Sequence, residues 1–123
     1  MVEQKLNYFR DLLLKKRENT QEKIQYHKKR LNENPADFES GNKFAFHIAD
    51  EGTDQMEREK ESMLYSREKE SLRNIDSALN RMDVGEYGKC TNCGKEISDK
   101  RLEALPDTDL CSECIKKINP SLV

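Results

Sequence analysis

The chain has 123 residues, of which 34% are hydrophobic and 37% charged, and it has no Trp. That is too polar for one compact domain with a thick core, yet 22 Lys/Arg against 24 Asp/Glu leave a formal net charge of −2, so it is no polyelectrolyte tail either. No apolar run approaches the ~18 residues that would span a bilayer, and the opening Met1-Val2-Glu3-Gln4-Lys5 lacks the basic-then-apolar plan of a secretion signal. The expectation is a cytoplasmic chain with no membrane partner and with reduced thiols.

The first element is a helix. Leu6, Phe9, Leu13, Ile24 and Leu31 recur at helical spacing, with Arg17, Thr20 and His27 filling the same stripe. Asn34-Pro35 should end it, because the residue before a proline is pushed away from the helical region, and Ser40-Gly41-Asn42 continues the break. A second helical run is expected from Thr53 or Asp54, either of which could cap it. Its sparse apolar face is Met56, Met63, Leu64, Ile75, Ala78, Leu79 and Met82, and Gly85 is a natural stop. Each run holds about thirty residues, or about 45 Å at about 1.5 Å per residue.

Neither helix would be stable alone in water, so the two are expected to pair as an antiparallel hairpin. Thr20, Glu68 and Ser71 fall in the seam, where they weaken packing and help to set the register. The expected organisation is a coiled-coil hairpin over residues 1–84, with its tip around 34–54, and a small domain over 85–123. Charge segregates along the hairpin. Residues 1–32 carry nine Lys/Arg against four Asp/Glu, a net of +5, and residues 33–61 carry three against nine, a net of −6.

All four cysteines lie in the last third, as Cys90-x2-Cys93-x17-Cys111-x2-Cys114. Two residues between paired cysteines let one tight turn aim both sulfurs at a single point, which is the spacing of a tetrahedral zinc site. Gly94 follows the first pair, where a positive φ is often needed, whereas Cys111-Ser112-Glu113-Cys114-Ile115-Lys116-Lys117 reads as the start of a helix. Four thiolates would leave no open position, so the site is read as structural, with one Zn2+ whose negative complex Lys89, Lys95, Lys100 and Lys116 partly offset. Tyr87, Ile97, Leu102, Leu105, Leu110, Ile115 and Ile118 offer a core too small to fold this segment without metal. A redox dithiol would need only one such pair, usually in a βαβ setting; iron in an S4 site shares the spacing and is not separated from zinc by it.

The stretch Gly85-x-Tyr87-Gly88-x-Cys90, Cys93-Gly94, Ile97, Arg101-Leu102-Glu103-Ala104-x-Pro106 and Cys111-x2-Cys114 resembles the C-terminal zinc finger of the DksA/TraR family. The match covers about thirty residues; upstream the likeness is in architecture. The family's fold, as the resemblance implies, is an all-α-dominated chain: a long antiparallel coiled-coil hairpin on a C4 zinc-finger domain. Its DksA-type members bind bacterial RNA polymerase through the secondary channel and change the stability of promoter complexes, in some cases with the nucleotide effector ppGpp. The family's tip has two aspartates three apart, then an alanine two residues on. Here Asp50 matches the second aspartate, His47 stands in place of the first and Gly52 in place of the alanine. Asp50, His47, Glu51 and Asp54 are therefore the expected polymerase contacts. The stretch Ala49–Glu61 is closer to a low-GC Gram-positive branch labelled general stress proteins.

Two other classes are weighed. A zinc ribbon that binds nucleic acid should be basic, but segment 85–123 carries six Lys/Arg against seven Asp/Glu, so no direct sequence-specific DNA binding is expected. An enzyme would need a nucleophile with its base, a phosphate loop or an open metal site, and the sequence offers none of these.

Overall fold

A computed structural model describes the backbone of residues 1–36 and 41–118 and the side chains of residues 1–32 and 55–118. It is built from helices: α1 (Glu3–Ala36), α2 (Gly41–Asp83), α3 (Asp99–Ala104) and α4 (Ser112–Ile118). Among the described residues there is no strand, only a single β-bridge between Lys89 and Glu96. No helix of the described residues is long and apolar enough to cross a membrane.

Two boundaries differ from those read in the sequence. α1 runs through Pro35 to Ala36, and α2 starts at Gly41 rather than near Thr53. Pro35 has no N–H to give to the carbonyl four residues back, and the helix stops one residue beyond it. The stretch Lys43–Glu51 holds no proline or glycine, and Phe44, Ala45, Ile48 and Ala49 recur at helical spacing, so the residues there favour helix. The segment proposed as the tip, with His47, Asp50, Glu51 and Asp54, lies outside the residues whose side chains are described.

The chain forms two compact units, one of residues Met1–Glu18 and Leu72–Val123, the other of Asn19–Ser71. The division does not fall at residue 84. The start of α1 and the end of α2 belong with the finger because they share its core. That core joins Phe9 and Leu13 of α1, Ile75, Ala78 and Met82 of α2, and Tyr87, Cys90, Ile97, Leu102, Cys111 and Cys114. Leu13, Ile75 and Leu102 are fully buried, each contributing about 1.5–3 kcal/mol of apolar transfer. The Phe9 and Tyr87 rings meet at 6.0 Å.

Polar ties surround this core. Lys5 pairs with Asp99 at 2.7 Å, Tyr8 donates to Glu103 at 3.1 Å, and Lys16 pairs with Asp107. Arg17 reaches Asp76 across the helix pair at 2.7 Å. Exposed pairs such as Lys5–Asp99 add little stability individually, and Lys16–Asp107 is part-buried, but together they fix how α1 lies on α3 and on the loop after it.

In the second unit α1 contributes Thr20 and Ile24, both buried, with His27 and Leu31 half-buried. α2 contributes half-buried Glu61, Leu64, Glu68 and Ser71. Thr20, Glu68 and Ser71 therefore occupy the seam as their spacing indicated. Met56 and Met63 do not: they are 72% and 55% exposed. The heptad running back from Met82 through Ile75 and Glu68 reaches Glu61, so an acid takes the place that the Met63 reading assigned to an apolar residue.

Candidate metal centre

α2 ends in a Schellman cap. Gly85 has φ +77°, its N–H donates to Met82 O at 3.3 Å, and Glu86 N–H donates to Arg81 O at 2.8 Å. The reversal sends the chain into a narrow hairpin in which Ile97 N–H donates to Gly88 O and Cys90 N–H to Lys95 O, both at 2.8 Å. Gly94, at φ +78°, closes the turn by donating to Cys90 O at 2.9 Å, so the first cysteine pair sits on the knuckle that its glycine indicated.

The second pair is placed by a helix. Cys111 immediately precedes α4 and Cys114 lies in its first turn. Between the pairs, α3 is capped by Ser98, whose hydroxyl accepts from Arg101 N–H, and Leu102 of α3 enters the core. Three ties hold the return loop. Tyr87 donates from its buried hydroxyl to Pro106 O at 2.8 Å, Arg101 donates to Leu110 O at 2.9 Å, and Thr91 N–H donates to Asp109 O at 2.8 Å. Arg81 adds contacts to the carbonyls of Asp107 and Thr108.

The four sulfurs come together. All lie within 4.8 Å of one another, and Cys93 Sγ to Cys111 Sγ is 3.7 Å. Four sulfurs about 2.3 Å from a common ion would stand about 3.8 Å apart. None of the cysteines is in a disulfide. Cys90, Cys111 and Cys114 are buried, and Cys93 is exposed.

The electrostatics suit a cation. Backbone N–H groups, first that of Cys111 and then those of Cys93 and Asn92, hold the Cys90 thiol down at about 6. The Cys111 thiol is lowered too, chiefly by the Cys114 N–H at the start of α4. For Cys114, the Asn92 amide, donating at 3.3 Å, acts to lower the thiol, but Cys111, burial, Cys93 and Cys90 together outweigh it and push it up to about 12. Four clustered thiols cannot all ionise without a positive charge among them, and a divalent ion supplies it. Lys89, Lys95, Lys100 and Lys116 are all exposed.

Several participants have no signature in the spacing. Asn92, bonded to a metal-site sulfur, lies between two cysteines and looks like turn filler. Lys5 and Tyr8 sit more than ninety residues from their partners. His27, which fills a place in the stripe of α1, bonds Glu61 at 2.6 Å. An acid at the matching seam position of α2 was the available signal.

Residues 85–118 match the family model described as the prokaryotic dksA/traR C4-type zinc finger. Among curated proteins, the chain is 38% identical over 66 residues to the RNA polymerase-binding transcription factor DksA of Haemophilus influenzae, covering 54% of this chain and 46% of that protein. It is 43% identical over 67 residues to the protein YteA of Bacillus subtilis, covering 54% of this chain and 28% of YteA. The chain thus spans less than half the length of these curated relatives. Among solved structures, the transcription factor DksA2 of Pseudomonas aeruginosa superposes with a TM-score of 0.81 at 30% identity, covering 99% of this chain and 88% of that one. With the four clustered sulfurs, the finger match makes the centre a structural site for one Zn2+, held by Cys90, Cys93, Cys111 and Cys114.

Proposed function

Because the chain belongs to the DksA/TraR family, we propose that it is a transcription regulator that binds bacterial RNA polymerase, with the zinc finger as the structural base of its helix pair. The observation that carries this reading is the likeness to DksA2, which runs over 99% of the chain and not over the finger alone. The closed C4 set supports a structural metal, which holds the core and is not offered to a substrate.

The finer reading is entry through the secondary channel, with the 34–54 segment approaching the polymerase active site. Asp50 is the residue expected to carry the effect there, with Glu51, Asp54 and His47 beside it. The net of −6 over residues 33–61 suits a positively charged passage, and such attraction weakens as salt rises.

The test is transcription in vitro with purified polymerase, scoring retention of the protein on polymerase and the lifetime of promoter complexes. The full zinc-loaded chain is expected to bind and to change that lifetime, and Asp50→Ala to bind but lose the change. Absence of both retention and lifetime change in the unaltered protein would sink the proposal. Loss of retention with Asp50→Ala would sink the division of labour between base and tip. Addition of ppGpp to the same assay decides whether a nucleotide effector adds to the response.

A further inference from the structure

We propose that His27, Arg30 and Glu61 form a latch that holds the second unit's helix pair closed, and that this pair opens locally while the first unit stays folded. The inference does not depend on the polymerase reading.

Among the described residues, the two units are held by different physics. The first has a continuous apolar core with three fully buried large side chains. Among the described residues of the second, only Thr20 and Ile24 are buried, and one of those is polar. The other half-buried apolar residues described there are Leu31, Leu64 and Tyr65, interleaved with Glu68 and Ser71. Over the described residues, apolar burial of that extent gives the helix pair little reason to stay shut, because local opening free energy follows the apolar contact it must break.

Glu61 supplies what the apolar residues lack. One carboxylate oxygen is 2.6 Å from His27 Nδ1, and the other is 3.2 Å from Arg30 Nε. Both partners come from α1, so opening the pair would break both links at once. The His27 and Glu61 side chains are only 12% and 13% exposed, so neither can exchange its partner for bulk water while the pair is closed. Tyr26 braces the group. Its hydroxyl accepts from Arg30 at 3.1 Å, the guanidinium lies 5.7 Å from its ring centroid, and the ring stands edge-on to His27 at 5.2 Å. A charged acceptor engaged twice at low exposure contributes more than an open surface pair, and removing one side leaves the other stranded.

Hydrogen exchange read by mass spectrometry on the full zinc-loaded chain tests this. In the unaltered protein, amides of 20–31 and 61–71 should exchange about tenfold or more faster than those of 9–13 and 75–82. Glu61→Ala should accelerate the former by about a further tenfold or more and leave the latter unchanged. Equal protection in the two units would overturn the proposal, as would a Glu61→Ala effect that is absent or shared by both. If Glu61→Ala does not fold, Glu61→Gln decides, since it keeps the shape and removes the charge: second-unit exchange faster by about threefold or more upholds the latch, and unchanged exchange refutes it.

Discussion

Removing the zinc should melt far more than the finger. Three of the four sulfurs, those of Cys90, Cys111 and Cys114, belong to the same buried cluster as Phe9, Leu13, Ile75, Ala78 and Met82. Structural zinc contributes about 10–16 kcal/mol of apparent binding free energy in small fingers, as large as the whole stability of a typical domain at about 5–15 kcal/mol. The first unit should therefore unfold together, and the ends of α1 and α2 should fray with it, since short helices are marginal alone in water. The helices hold 34, 43, 6 and 7 residues. If only α3 and α4 were lost, 13 of 90 helical residues would go, about a seventh of the far-UV circular dichroism signal. If the whole first unit is lost, 16 residues of α1 and 12 of α2 go as well, making 41 of 90, a little under half. Chelator titration followed by far-UV circular dichroism, with released zinc measured by a colorimetric dye, separates the two. A fall of about a seventh at complete zinc release would show that the shared core does not couple the helix ends to the metal.

Two further predictions concern the same core. Leu13→Ala should cost about 2–5 kcal/mol in denaturant unfolding, while Leu14→Ala, one position along and 48% exposed, should change stability by about 0.5 kcal/mol or less; equal effects would contradict the assigned face of α1. Burial pushes the Tyr87 phenol up to about 12 from a usual value near 10. The group is then neutral in the fold at pH values where the unfolded chain would release its proton, so its contribution is fully present below about pH 10 and is lost as pH rises toward about 12. Tyr87→Phe should flatten that alkaline loss and, by orphaning the buried Pro106 carbonyl, cost about 1–3 kcal/mol at neutral pH, both read from denaturation midpoints.

The parts legible in the sequence were those whose cause is local. The Leu6, Phe9, Leu13, Thr20, Ile24, His27 and Leu31 stripe is a helical period, and its members face inward in the structure as spaced. Gly85 and Gly94 mark positive-φ positions that other residues rarely adopt, and both are found there. Cys90, Cys93, Cys111 and Cys114 announce a shared ion because two-residue gaps restrict where sulfurs can point. Other features depended on partners far along the chain. Nothing within a few residues of Lys5 or Tyr8 foretells Asp99 and Glu103, and the domain limit set at residue 84 followed the end of a helical pattern, whereas compactness follows the core that crosses it. On α2, hydropathy favoured Met63 for the seam, and the heptad phase set by buried Ile75 and Met82 put Glu61 there instead.

By itself, then, the order of residues determined two long helices, their glycine turns and a four-thiolate metal site, though not where α1 ends or α2 begins, because φ preferences, apolar period and thiol spacing act over a handful of positions. Which distant surfaces meet was decided in the tertiary structure, where α1's opening turns are packed into the finger's core and an acid is shared by His27 and Arg30. Those choices follow from burying the most apolar surface the chain can close over, and that sum is taken over the folded whole.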